Sequence, residues 1–266
     1  MLLAVDIGNT NIHVGIFEKN RLLTSFCIGT SFSRSGDEYA LTLKSLIEAE
    51  GYNKESFDGA IIGSVSPNVT EKIKYAIQKI TGIAPLLVGP GLKTGYPIKL
   101  DDPSQLGADL AANTAGAIER VGFPVIIVDF GTATTISAVD KDKAYAGCYI
   151  MPGIQMSLNA LNNTGLLPSV VADEDFPVLA KNSVDSMKAG VVFGEVMATE
   201  GFIETYKREL DLKEDTPIIV TGGFAPRLLS YFKPKVTYID NLTLIGLNSI
   251  YNTNKKKQRS NSHASK

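Results

Sequence analysis

The chain is sparing with the residues that build disulfide frameworks and zinc sites. It has two cysteines, Cys27 and Cys148, far apart and in no CxxC pair. That spacing indicates neither a disulfide framework nor a zinc site, and reduced cytosolic thiols fit best. An excess of one charge is also missing. The 26 Lys and Arg stand against 28 Asp and Glu, leaving −2, so nothing in the bulk points to nucleic acid. The one basic cluster is "NKKKQR" at 254–259, which reads as a solvated, disordered end. No apolar run approaches the ~20 residues that span a bilayer, so no membrane partner is expected. The start "MLLAVDIGNT" lacks the basic region and small-residue cleavage site of a signal peptide, and a cytoplasmic protein is expected. There is no GxxxxGK[ST] and no GxGxxG after a strand, which excludes a P-loop and argues against a dinucleotide fold.

What the chain does have is length, apolar residues and internal repetition. Its 266 residues, 44% hydrophobic, are enough for one large domain or two ordinary ones with a real core. "LLAVD" at 2–6 reads as a buried strand, "IGNT" as a turn, and "NIHVGIFE" and "RLLTSFCI" as two further strands. A helix is expected over about 37–50 behind "SRSGDE", then a strand "GAIIGSVSP", a helix at about 68–81 and a short strand "PLLVG". The second half repeats the order with "PVIIVD", "FGTA", "TTISAVD", "AYAGCYI" and "PIIVTGGFAP". Asp6 and Asp129 are offset by 123 and Gly63 and Gly222 by 159, so 36 extra residues lie between the echoes, in a helical region at about 153–208. Two copies of β-β-β-α-β-α-β imply two α/β lobes with a cleft between them. The order resembles the duplicated, ribonuclease-H-like fold of the actin-like ATPase and kinase superfamily. The expected division is a first lobe at 1–118, a second with a helical insertion at 119–252 and a disordered basic tail at 253–266.

The repeat places "DIGNTN" (6–11) and "DFGTAT" (129–134) at matching strand ends. A glycine there lets backbone approach a phosphate, and turn N–H groups with Asn9, Thr10 and Thr132 can bond its oxygens. Carboxylates do not bind phosphate directly, so Asp6 and Asp129 would act through a cation or water. "TGG" at 221–223 joins a strand to a helix, where a base and ribose can lie on backbone. One Asp-x-Gly turn is usually a plain hairpin; two in register with a strand-TGG-helix element point to nucleotide binding.

Further motifs follow in order: "GAD" within "QLGADLAAN", "PG" at 152–153, "NTGLLP" at 163–168, "SMKAGVVFG" at 186–194, "TGGFA" and "NLTLIGL" at 241–247. With the two turns they resemble type III pantothenate kinase, over nearly the whole chain to about Asn252. The resemblance implies ATP-dependent phosphorylation of pantothenate, the first step of coenzyme A biosynthesis. In isolation Asp109 reads as a helix N-cap; in this motif set the resemblance makes it the catalytic base that takes the proton of the pantothenate hydroxyl. It further implies ATP contacts at Asp6, Gly8, Asn9, Thr10, Asn11, His13, Gly131, Thr132, Gly222 and Gly223. It implies a monovalent cation, K⁺ or NH₄⁺, at Asp129, and Mg²⁺ with ATP, to which Asp6 is the nearer carboxylate. Pantothenate contacts fall on Leu100, Gly107, Ala108, Leu110 and Ser183, and a homodimer is implied.

Four positions depart from the family pattern. GxDR carries Leu110 in place of Arg, a usual Tyr is Leu100, a Gly-Gly pair is Gly147-Cys148, and a Thr is Ser183. Thr to Ser keeps the hydroxyl. Arg to Leu removes a bidentate donor, a loss of roughly 1.5–3 kcal/mol for a charge-assisted bond. Lys93 and Lys99 are the nearby cations in sequence. The alternatives are a diverged acceptor or a non-catalytic ATP-binding or transcription-accessory protein. Elsewhere the plain readings are a packed strand histidine for His13, a pocket wall or a turn for Tyr96, core for Met151, Met156 and Met187, and an inert small side chain for Cys148.

Overall fold

A computed structural model describes all residues except 164, 166, 173–175 and 265–266, and only the backbone of 256–264. The motif "NTGLLP" therefore lies partly outside the described residues. By contacts the chain forms two units, Met1–Arg120 with Leu242–Lys266, and Val121–Asn241.

The first unit begins with β1 (Leu2–Ile7), β2 (Asn11–Glu18) and β3 (Arg21–Gly29), continues through α1 (Gly36–Ala49), β4 (Gly59–Ser64), α2 (Pro67–Thr81) and β5 (Leu86–Leu87), and adds α3 (Ala108–Val121). Its sheet runs β3-β2-β1-β4-β5. β1 pairs antiparallel with β2 and parallel with β4. Leu3, Val5 and Ile7 alternate onto the face packed by α1 and α2. Asp6 therefore stands on the opposite face, near the carboxyl end of its strand. α1 starts on a capping box: Glu38 N donates to Ser35 Oγ at 3.2 Å and Ser35 N to Glu38 Oε2 at 2.7 Å. α2 opens with Pro67 and stops at Gly82, whose φ of 76° is left-handed.

The second unit repeats the order with β6 (Val125–Phe130), β7 (Ala133–Val139) and β8 (Tyr145–Pro152), then α4 (Ile154–Asn162), α5 (Ser183–Glu209), β9 (Ile218–Thr221), α6 (Ala225–Leu228) and β10 (Thr237–Tyr238). Its sheet, β10-β9-β6-β7-β8, is the first sheet's order read from the other edge. Ile126, Val128 and Phe130 join the core under α5, which leaves Asp129 on the other face. Asn182 Oδ1 caps α5 by accepting from Asp185 N at 2.9 Å. Both turns and the helical insertion stand where the repeat predicts. The fold is α/β, with the strand order of the first unit repeated in the second.

Three sequence expectations need correction. Asp6 pairs in register with Gly63, and Asp129 with Thr221. The partner of Gly63 in the repeat is thus Thr221, one residue before Gly222, because strand pairing fixes the alignment and glycine identity does not. The boundary at 118 falls inside α3, and the last segment returns to the first unit. Residues 253–264 form the end of α7 (Leu242–Ala264). Asn254 Nδ2 donates to Lys93 O at 2.9 Å, Lys93 N donates to Asn254 Oδ1 at 3.2 Å, and Lys255 Nζ meets Asp58 at 3.1 Å. Composition alone cannot see those partners. Met156, expected in the core, is 45% exposed, whereas Met187 is buried.

α7 packs against β1, β2 and β4 and closely against α3. A Cβ on Gly246 would collide with Ala112 O, and one on Gly116 would come 2.6 Å from Leu242 O. Glycine at both crossings is what lets the helices approach so near. Thr243 Oγ1 donates to the buried Asn113 Oδ1 at 2.8 Å across the same seam.

Candidate active site

In the first unit the "DIGNTN" turn is a tight hairpin between β1 and β2. Gly8 N donates to Asn11 O at 2.9 Å, and a Cβ on Gly8 would sit 3.0 Å from that oxygen. Thr30, just after β3, holds the turn from its other side: Oγ1 donates to Gly8 O at 2.8 Å, and its N–H to Thr10 O at 2.9 Å. Asn9, Thr10 and Asn11 are exposed and Asp6 is half-buried. The turn is fixed in backbone and open in side chains, as phosphate recognition by hydroxyl and amide groups requires. His13 lies directly across from Asp6 in register and from Cys27 on its other side. It is exposed, with Nε2 4.0 Å from the Cys27 sulfur. The packed reading of His13 is therefore wrong, because its strand position faces solvent. Burial pushes the Cys27 thiol above its usual range.

Asp109 is the second residue of α3, not its N-cap. Its Oδ1 accepts from the next backbone N–H, Leu110 N, at 2.8 Å. The carboxylate thus folds back over the helix N-terminus, where the helix dipole favours negative charge. Gly107 makes room for it: a Cβ there would lie 2.5 Å from Oδ1. Ala108 is buried, and Leu110 and Leu100 are half-buried. Tyr96 resolves to a wall: its buried hydroxyl donates to Ala111 O at 2.8 Å, tying the loop before Leu100 to α3. Burial pushes that phenol far above its usual range, so it stays protonated. The first unit therefore places Gly107, Ala108, Asp109 and Leu110 at the start of α3, with the loop that leads to Leu100 tied to that helix through Tyr96. Ser183 is the exposed first residue of α5, in the second unit.

In the second unit three glycines shape the "DFGTAT" turn. Gly131 N donates to Ala133 O at 3.2 Å and Gly153 N to Thr132 O at 3.2 Å. A Cβ on Gly153 would collide with Thr132 O and come 2.6 Å from Gly131 O. Gly222, at φ +97°, ends β9 so close that a Cβ would lie 2.5 Å from both Asp129 Oδ1 and Phe130 O. Here glycine is required twice, by its conformation and by the approach. Gly223 is exposed with open space above it, and Thr132 is exposed at the turn's tip. Asp129 Oδ1 and the Phe130 carbonyl thus border one small space, an all-oxygen pair suited to a hard cation. Among the described residues no cluster of three His, Cys, Asp or Glu could hold a metal.

Gly147 keeps a φ of +157°, and Cys148 after it is half-buried, its sulfhydryl donating to Tyr149 O at 3.2 Å. The cysteine fits this backbone, so the Gly-to-Cys departure causes no clash there. Sequence reading missed Glu195, buried on α5. Its signal was an acid inside the apolar stripe Val192, Val196 and Ile203.

A sequence profile of the type III pantothenate kinase family matches residues 2–205. A curated type III pantothenate kinase from Halalkalibacterium halodurans is 37% identical over 256 residues, 96% of this chain and 100% of the relative. Among solved structures, a conserved protein from Campylobacter jejuni ascribed to the Baf family of transcriptional activators aligns at TM-score 0.58 and 19% identity, over 96% of this chain and 99% of that one. Component A of (R)-2-hydroxyglutaryl-CoA dehydratase from Acidaminococcus fermentans aligns at 0.54 and 12% identity, over 94% and 96%. At such identities the two structures speak for the fold alone. No helix among the described residues is long and apolar enough to cross a membrane.

Proposed function

Because the chain belongs to the type III pantothenate kinase family, we propose that it phosphorylates pantothenate with ATP, the opening step of coenzyme A synthesis, with Asp109 as the base. The pantothenate hydroxyl oxygen attacks the γ-phosphorus, the bond to the ADP oxygen breaks, and the hydroxyl proton passes to the Asp109 carboxylate. The observation that carries this assignment is the position of Asp109. It stands in the first turn of α3, half-buried and with Oδ1 already oriented by Leu110 N.

The turn at 6–13 offers Asp6, Gly8, Asn9, Thr10, Asn11 and His13 to ATP, and the second unit offers Gly131, Thr132, Gly222 and Gly223. Backbone N–H groups at such turns bond phosphate oxygens without charge. Asp129 with the Phe130 carbonyl is the oxygen set for a monovalent cation, K⁺ or NH₄⁺, and Asp6 is the carboxylate nearest in role to Mg²⁺. Bound there, these cations offset phosphate charge. Cytoplasmic location and a homodimer complete the reading. Exposed Ile150, Met156 and Met197 on the second unit support self-association.

Leu110 favours a second reading, a diverged acceptor, since a leucine beside the base donates nothing to a substrate carboxylate. An assay of ADP release with ATP, Mg²⁺ and K⁺ over a pantothenate titration separates the two. Saturable turnover at low pantothenate, lost in Asp109→Asn, supports the kinase. Turnover only with another hydroxyl compound supports the diverged acceptor, and no turnover with any acceptor overturns both.

A further inference from the structure

Beneath the "DFGTAT" turn lies a polar set that the proposed reaction leaves unused. α5 carries a buried stripe on the face turned to the sheet, and in it stand Glu195, 8% exposed, and Thr199, fully buried. Their i, i+4 spacing puts them on one side of the helix. Thr134 on β7 is also buried and pairs with Phe130, the last residue of β6 before the turn. Glu195 Oε1, Thr134 Oγ1 and Thr199 Oγ1 all lack a hydrogen-bond partner. Groups left so in a protein interior are costly, and a carboxyl most of all.

The strands and the helix α4 packed on α5 give Glu195 no counter-charge among the described residues. Among the described residues α4 and β7, which pack on α5, carry no ionisable side chain, and β6 carries only Asp129, which alternates to the other face. On α5 itself the nearest buried cation is Lys188, two turns earlier on the stripe. Burial pushes the Glu195 carboxyl above the usual carboxylate range, and the neighbouring Thr134 hydroxyl offsets part of that shift.

We propose that Glu195 is a positioning residue for the phosphate-binding turn, bracing β7 through Thr134 from the side opposite Asp129. In its protonated form the carboxyl both donates and accepts, so it can satisfy the Thr134 hydroxyl without a cation. Ionised, it must draw water or a counter-ion into the space between α5 and β7, and Thr134 moves with β7, the strand that Thr132 leads into. The inference rests on the reading of this turn as an ATP contact.

Three variants of the full-length chain test it. Glu195→Gln keeps shape and hydrogen-bonding capacity, Glu195→Ala removes both, and Thr134→Val removes the partner. With a brace, Glu195→Ala raises KM for ATP several-fold while kcat and KM for pantothenate stay near the parent's, and Glu195→Gln restores the ATP KM. Tm gives a second readout. A carboxyl raised in the folded state contributes stability that is lost as pH rises from the ordinary carboxyl range through its folded pKa. The parent therefore loses Tm over that rise relative to Glu195→Gln, and Thr134→Val shifts the course of the loss. Parallel Tm curves for parent and Gln variant, or kcat and both KM values falling together in Glu195→Ala with no Gln rescue, overturn the proposal. A parent that neither binds nor turns over ATP overturns the proposed function and the turn's role with it. The Tm comparison still reports then whether Glu195 and Thr134 are coupled.

Discussion

In the proposed reaction Asp109 satisfies a structural and a chemical demand at once. Its Oδ1 accepts from Leu110 N, so the carboxylate is held without a side-chain cation. Substitution by Asn keeps an acceptor for that N–H but abolishes the base. The expected result for Asp109→Asn is loss of at least about a hundredfold in kcat, the usual scale for a general base, with Tm within a few degrees of the parent; a rate measurement beside a melting curve checks it. Leu110→Arg probes the neighbouring departure. If pantothenate is the acceptor, a guanidinium that reaches its carboxylate lowers KM by roughly ten- to a hundredfold, the equivalent of one charge-assisted bond. Gly222 is a third test. Alanine there must adopt φ +97° and place its Cβ 2.5 Å from Asp129 Oδ1 and Phe130 O. Strain of this kind costs roughly 1–3 kcal/mol, and the displaced Asp129 changes the K⁺ dependence of turnover. A K⁺ titration of Gly222→Ala that matches the parent's removes Asp129 from the cation role. At this scale the motif residues were legible in the sequence, because each Asp-x-Gly turn is local. Glu195 was not, because its burial depends on a helix docking against a strand sixty residues away in the chain.

At the scale of elements, the repeat made the strand order legible and the helix packing stayed hidden. β1 and β6 are short continuous apolar runs, each followed by two more strands across brief turns, so the hairpins follow from the sequence. The partner of α3 does not, since α7 lies more than a hundred residues further on. That contact is carried by Gly116 and Gly246, whose meaning appears only when the two backbones meet. Glycines in helices then divide into two kinds. Gly246→Ala drives a Cβ into Ala112 and outweighs the gain in helix propensity, so it destabilises by about 1–3 kcal/mol. Gly201 in α5 has open space at its Cβ, so Gly201→Ala stabilises by about 0.4–1 kcal/mol through propensity and unfolded-state entropy. Chemical denaturation of both variants should give opposite signs. Two losses of equal size contradict the packing argument.

At the scale of the whole chain, the return of the C-terminal segment to the first unit is the feature that composition concealed. α7 closes the first unit and then reaches the loop that leads to Leu100 and α3. Asn254 exchanges two hydrogen bonds with the backbone of Lys93, and Tyr96 in the same loop is bonded to Ala111. Lys255 meets Asp58, which also receives the N-terminal ammonium at 3.2 Å. Burial pushes the Asp58 carboxyl up, yet Lys255 and the N-terminus outweigh it and hold the group below its usual range. A chain ending at Asn252 therefore loses two backbone ties and one exposed ion pair. The hydrogen bonds contribute about 0.5–1.5 kcal/mol each and the ion pair between 0 and about 1, so the expected loss is on the order of 1–4 kcal/mol. A depressed carboxylate contributes stability above its unfolded pKa and loses it as pH falls through the folded one. The gap in stability between full and shortened chains should accordingly narrow slightly as pH drops below about 4. The loop that is untied carries the acceptor side of the proposed site and none of the ATP turn. Shortening should thus raise KM for pantothenate and leave KM for ATP unchanged. Denaturation curves at two pH values with both KM values test this, and a shortened chain as stable as the parent would mean that α7 ends its structural work at Asn252.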